Sequence, residues 1–362
     1  MEFRIFDVGK FANLLELTKK TVTGMSELAS RLILLESTPE HLYCTVSSRE
    51  VYIRFRIDGE MLAAGKATTT ITDFSNFLTA IKSKKEVSLL FDGSQLFVDA
   101  DKANGTFDTI KAEIAMNPYK KWDISEQIDF DVIAQCQRMI PFLSKNQDIY
   151  KQVHIDNGAI FATDSYKVLA SKSSFDIFKE NFCLSAEIIT AAKDLSKFEG
   201  EEIKMHKNEG WAGFELGAIL IAVPLSLNNL KYKIIEESTE KNDKSYDISF
   251  NATEMLDGLK IITSIGREEV QAVHVNLDAK QIQILNRGEN SAMAEIASLK
   301  SNCPYPIALD RHSLDVVSKT LLDKESPVVD GYINVNKEGS PVMLCLKNQL
   351  DELAVIMIMR VT

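Results

Sequence analysis

The sequence predicts an α+β fold in which one unit of about 120 residues is written three times, each with two helices against antiparallel sheets. Hairpins carry the first part of this expectation. LLESTPEHLYCTVSS (Leu34 to Ser48), VHIDNGAIFATD (Val153 to Asp164) and VNLDAKQIQILN (Val275 to Asn286) turn near Pro39, Asn157 and Asp278, 118 and 121 residues apart. A second set, VSLLFDGSQLFV (Val87 to Val98), IKMHKNEGWAGFEL (Ile203 to Leu216) and INVNKEGSPVMLCL (Ile333 to Leu346), bends at Gly93, Gly210 and Gly339, 117 and 129 residues apart. Helical segments in matching positions between the hairpins carry the rest.

Each unit opens on a short strand, as MEFRIF does at the start of the chain. The first helix of each unit is expected over Val8 to Val22, Asp129 to Ile140 and Asn251 to Ile265, where Phe11, Leu14, Leu15 and Met255, Leu256, Leu259, Ile262 recur at the three-and-four spacing of a buried stripe. The first hairpins follow. Asn157-Gly158 is the strongest two-residue turn signal among them. The second helices are expected over Thr72 to Lys85, Ser185 to Phe198 and Asp310 to Lys324, and Thr72 and Asn251 suit N-caps. The glycine hairpins close each unit, their glycines supplying positive φ at the bends. KKWDISEQ (Lys120 to Gln127) and EESTEKNDKSYD (Glu236 to Asp247) mark the joints, which gives domains at 1–124, 125–245 and 246–362.

Composition excludes several classes of chemistry. The five cysteines, Cys44, Cys136, Cys183, Cys303 and Cys345, form no C-x-x-C pair, so reduced and buried thiols are expected rather than a disulfide framework or zinc site. No phosphate-binding glycine loop, zinc-protease motif or nucleophile elbow occurs, and the five histidines lack metal-ligand spacing. No catalytic residue, metal or cofactor is assigned. The start of the chain lacks the apolar core of a signal peptide, and AILIAVPL (Ala218 to Leu225) is too short to span a bilayer. A cytoplasmic protein with no membrane partner is therefore expected.

IFATDSYKVLAS (Ile160 to Ser171) sets a polar knot between two apolar stretches. Thr163-Asp164-Ser165 reads as the bend leaving a hairpin, with Asp164 bonding local backbone rather than acting in catalysis.

The threefold unit, the MEFRIF start, ATDSYK (Ala162 to Lys167) and the terminal VIMIMRV (Val355 to Val361) together give a chain that resembles the bacterial-type β sliding clamp, the processivity subunit of DNA polymerase III. The family pattern A-T-D-G-H-R-L meets Ser165, Tyr166, Lys167 and Val168 at its last four positions. In the family's terminal V-M-P-M-R-L, Ile358 takes the place of proline, and Thr362 extends the end by one residue. These departures mark a divergent pattern and imply a different preference in the bound motif.

The resemblance implies three repeated DNA-clamp domains joined into a head-to-tail dimeric ring, helices inside and sheets outside, around double-stranded DNA without reading its sequence. It implies as partners a replicative DNA polymerase, a clamp-loader ATPase and repair proteins carrying short clamp-binding motifs. Carried over position by position, the family's hydrophobic peptide groove falls on Val153, Thr163, Tyr166, Lys167, Val168, Met357, Ile358, Met359, Arg360 and Val361. The family also uses the segment after the second domain's last strand. VPLSLNNLKYKII does not align there, so no residue of it is assigned.

Charge supports the inner wall independently. With 41 basic and 52 acidic residues the chain carries −11, which repels nucleic acid in general. The windows 10–24 and 72–85 carry +2 each and the other four helical windows zero, +4 in all, which leaves −15 on the remainder. The candidate DNA-facing residues are Lys19, Lys20, Lys82, Lys84 and Lys85, then Arg138, Lys145, Lys193, Lys197, Arg311 and Lys319. Two other classes of function stay open at this point. One is a monomeric repeat scaffold that binds proteins but no DNA. The other is an enzyme with an inter-domain site, for which Asp99, Asp101 and Asp129 are the carboxylates to consider.

Overall fold

A computed structural model describes residues 1–23, 27–111, 121–144, 146–199, 202–225, 230–264, 272–277, 281–285, 291–322 and 326–359. The chain runs β1 (Glu2–Ile5), α1 (Val8–Val22), β2 (Leu32–Ser37), β3 (His41–Ser47), β4 (Tyr52–Ala63), β5 (Lys66–Thr70), α2 (Ile71–Ala80), β6 (Val87–Phe91), β7 (Gln95–Ala100) and β8 (Ala103–Asp108). It continues with β9 (Ile124–Ile128), α3 (Phe130–Met139), β10 (Gln152–Asp156), β11 (Ala159–Thr163), β12 (Lys167–Lys172), β13 (Phe182–Ser185), α4 (Ala186–Glu199), β14 (Ile203–Lys207), β15 (Trp211–Leu216) and β16 (Ile219–Pro224). After α5 (Tyr232–Thr239) come β17 (Tyr246–Asn251), α6 (Ala252–Ser264), β18 (Ala272–Leu277), β19 (Gln281–Leu285), β20 (Met293–Ser301) and β21 (Ile307–Asp310). The last elements are α7 (Arg311–Leu321), β22 (Val328–Val335), β23 (Pro341–Lys347) and β24 (Leu353–Met359). One strand, a helix, four strands, a helix and three strands thus recur three times, with α5 the one additional α-helix among the described residues.

Two compact units cut across that repeat. Met1–Ala134 with Leu184–Leu227 form one, and Gln135–Cys183 with Asn228–Thr362 form the other. The first holds a sheet ordered β8-β7-β6-β1-β4-β16-β15-β14-β9, with β3 joining β4 to β2 and β2 pairing β5. The second is ordered β13-β10-β11-β12-β24-β21-β18-β19-β20-β17-β22-β23, with β23 also paired to β24. The strands β16 and β4 pair antiparallel, and their register Phe55↔Ile219 joins strands of different repeats in the first sheet. In the second, Val168↔Val355 does the same.

The buried stripe of α1 shows how sequence becomes core. Phe11, Leu14, Leu15 and Val22 are buried on one face. The Phe11 ring meets Phe74 of α2 edge-on at 5.8 Å and Phe55 of β4 at 6.4 Å, an arrangement suited to the ring quadrupoles. Asp7 caps α1 by accepting from the Lys10 amide at 2.8 Å. All five cysteines are buried thiols, none of them in a disulfide. Burial pushes the Cys136 and Cys345 thiols up to about 12, so neither supplies a thiolate near neutral pH.

Some local expectations change. Asn251 caps α6 as expected, accepting from Thr253 at 2.9 Å. Thr72 caps nothing: α2 begins at Ile71 and Thr70 holds the cap position, its hydroxyl spent on the Asp73 carboxylate. That helix also stops at Ala80, five residues before the predicted end, so Lys82, Lys84 and Lys85 lie in the following turn. Buried Ile81 closes the helix there through its amide bonds to Phe77 and Leu78. Gly93 and Gly339 take positive φ at their bends, but Gly210 does not. Asn208 makes that bend instead, its side-chain carbonyl accepting from the Gly210 and Trp211 amides at 3.0 and 2.8 Å. Asn157 and Gly158, at φ 53° and 86°, form the two-residue mirror-image turn expected of them.

Candidate functional site

The bend after β11 is built from its own side chains. The Asp164 carboxylate accepts from the Tyr166 and Lys167 amides at 3.0 and 2.9 Å, and the Thr163 hydroxyl accepts from the Ser165 amide at 3.0 Å. Ser165 takes φ 76°, the left-handed conformation that a glycine would adopt more cheaply. The Lys167 ammonium, only 4% exposed, is paired with Asp164, so both charges serve the turn. The result is a Tyr166 ring held out at 68% exposure.

Beside that ring lies the end of β24. The Met357 amide donates to the Tyr166 carbonyl at 2.8 Å, and Lys167 and Val168 pair with Ile356 and Val355. Leu353 to Ile356 are buried, after which β24 leaves β12 and pairs through Ile358 and Met359 with Leu309 and Ala308 of β21. Met357 and Met359 share one face of the strand and are 41% and 39% exposed. Three large apolar side chains, Tyr166, Met357 and Met359, are thus solvent-facing around one strand end. Methionine there tolerates partners of different shape.

Not every expected groove residue joins this surface. Val153 is fully buried in β10, and Thr163 and Lys167 are almost so, which makes these three supports. Val168 is half-buried and packs against Cys345, Leu353 and Val355 together with Tyr332 and Met343. Ile358 is half-buried, and Arg360 and Val361 lie outside the described residues. Met343, directly opposite Met357 in the β23–β24 ladder, escaped the sequence reading. So did Tyr232, which packs with Val168 against Phe161 and Ala170 from the segment that could not be aligned. The hairpin INVNKEGSPVMLCL hinted at the strand carrying Met343, but only the three-strand register reveals its neighbour.

The basic candidates divide by what they already hold. The Lys19 ammonium donates to Asn76 at 2.9 Å, tying α1 to α2, and Lys20 pairs with Glu16 at 3.0 Å. Lys20, Lys19 and Lys82 together hold the Glu16 carboxyl below its usual range, Lys20 foremost through its hydrogen bond. Lys82 and Lys85 are exposed, whereas Lys84 donates to the Asp101 carbonyl at 2.8 Å and braces the turn. In the other unit Lys319 pairs with Asp315 at 2.6 Å. Arg311 is half-buried and lines a cavity with Lys260, His312 and Asp315. Lys193 on α4 is exposed, and the Lys197 side chain and Lys145 fall outside the described residues.

Arg138 has a different position from the one expected of a DNA contact. Its guanidinium is paired with Glu352, whose side chain is 3% exposed, and donates to the Thr320 carbonyl at 2.7 Å. Burial pushes the Glu352 carboxyl up, against the Arg138 charge and the Asn348 amide that donates to it at 2.7 Å. This pair ties α3 to the turn before β24.

Among the described residues no cluster of three metal-ligating side chains exists, and no helix is long and apolar enough to cross a membrane. Asp99 is the penultimate residue of β7, while Asp101, at φ 29°, occupies the turn after that strand.

The fold is that of bacterial DNA polymerase III β subunits. The chain matches those of Caulobacter crescentus (TM-score 0.86, 14% identity), Pseudomonas aeruginosa (0.83, 14%) and Thermotoga maritima (0.83, 12%), with 100% of each chain covered. No family model and no curated protein sequence matches it.

Proposed function

We propose that the chain is a DNA sliding clamp. Two copies close head to tail, first repeat to third, around duplex DNA and tether a replicative polymerase through the surface around Tyr166, Val168, Met357 and Met359. The carrying observation is the full-length likeness to DNA polymerase III β subunits, with both chains covered end to end. The protein acts in the cytoplasm without catalytic activity of its own. A clamp-loader ATPase opens the ring, and repair proteins share the groove.

In this reading the three repeats, 1–124, 125–245 and 246–362, supply six domains to the ring. Lys19, Lys20, Lys82 and Lys85 face the duplex, joined by Lys193, Arg311 and Lys319. Phosphate contacts of this kind hold DNA without choosing a sequence, which permits sliding. Arg138 acts as a brace rather than a phosphate contact.

Reversing Lys82 and Lys85 to Glu tests the inner wall while sparing the Lys84 brace. The slope of log affinity against log salt for a duplex becomes shallower by roughly two per subunit, at about 0.9 for each phosphate that is no longer neutralised. An unchanged slope in salt titrations would remove these lysines from the DNA path.

A further inference from the structure

Next to the apolar surface lies a cavity of about 460 Å³ whose floor is aromatic and apolar: Tyr232, Tyr332, Ala170 and Leu353. Val168, already in the proposed groove, packs on both sides of this floor, with Tyr232 in one cluster and Tyr332 in the other. Val168 thus links the floor of the cavity to the groove.

Its rim is strongly biased in charge. Glu236, Glu237, Glu240 and Asp351 stand on it against Lys172 and Lys347. Lys347 is partly committed to Asp351 at 3.3 Å, and Lys233 outside the cavity reaches Glu237 at 3.5 Å. The negative field reaches the floor. After burial itself, the Glu236 and Asp351 carboxylates push the Tyr232 hydroxyl up, and Glu240 contributes to the same shift at Tyr332. Tyr332 donates its hydroxyl to the Thr239 carbonyl, which fixes the ring, and the Lys241 ammonium sits 5.9 Å from that ring's centre. One cation is thus already near a tyrosine face, the arrangement an aromatic floor under carboxylates favours.

We infer that this cavity takes a lysine or arginine side chain of the partner peptide whose apolar residues lie against Met357 and Met359. The inference rests on the proposed groove and adds to it the class of residue read there. Aliphatic stem on tyrosine and charged head among carboxylates match the two ends of such a side chain. A glutamate at that peptide position meets like charge and is rejected.

The test is selection of a phage-displayed random decapeptide library on three immobilised full-length proteins: wild type, Glu236→Lys/Glu240→Lys, and Met357→Ala/Met359→Ala. All four substituted side chains are exposed, so folding is preserved, and circular dichroism checks it. Wild-type binders that fail on the methionine variant are expected to carry Lys or Arg at one fixed position at least threefold above the library frequency. That enrichment disappears on the double-lysine variant. Methionine-dependent binders with no basic position, or with an acidic one, would overturn the inference and leave the groove standing. Binders indifferent to Met357 and Met359 would overturn the groove, and the inference with it.

Discussion

Replacing Met357 and Met359 together by alanine weakens a polymerase-derived peptide by roughly 30- to 150-fold while the fold survives. Both side chains are about two-fifths exposed, so their removal costs the folded protein little. A bound peptide would complete their burial, and without that burial binding is weaker by about 2–3 kcal/mol for the pair. The backbone of the site should stay in place, because the Met357 amide bond to Tyr166 and the β12–β24 ladder involve no methionine side chain. Fluorescence anisotropy with a labelled peptide gives the affinity, and a melting curve controls for the fold. Equal affinity for both proteins would remove the methionines from the groove.

The second large effect is on stability. Arg138→Ala strips the cationic partner from a carboxylate that is 3% exposed, leaving it only the Asn348 amide, and leaves the Thr320 carbonyl without its guanidinium donor. Breaking a buried pair from one side costs about 3–5 kcal/mol, and the partial exposure of Arg138 lowers this to roughly 2–4 kcal/mol. Glu352→Gln with Arg138 retained costs less, because a neutral amide keeps a hydrogen-bond acceptor without a stranded charge. Urea unfolding of the two variants distinguishes these cases. Equal midpoints for Arg138→Ala and wild type would mean that the pair braces nothing. Any loss of DNA retention in Arg138→Ala should follow the loss of folded protein, as expected of a brace.

Much of the fold was legible because the repeat is carried by local signals. Asn157-Gly158 forces its own turn, and the stripe from Phe11 to Leu15 forces its own helix. The bend around Asp164 was legible for the same reason, since an aspartate can bond the amides two and three residues ahead of it. What escaped depends on distance along the chain. The pairing of β12 with β24 joins residues nearly two hundred positions apart, and nothing local announces that Val168 meets Val355. Met343 became a neighbour of Met357 only through that ladder. The helix α5 was hidden in a charged stretch that reads as a joint, because its inward face rests on little more than Ile235 and Thr239. The division of the middle repeat between two sheets is likewise a property of strand partners. The lysines after α2 show a smaller failure, in which residue propensity carried the helix past the point where buried Ile81 ends it.

Negative-stain electron microscopy of the purified protein at micromolar concentration tests encirclement most directly. A sliding clamp predicts closed two-subunit rings with a roughly sixfold outline and an open centre wide enough for duplex DNA. Compact monomers or solid particles would contradict the ring and leave a repeat scaffold that binds proteins alone.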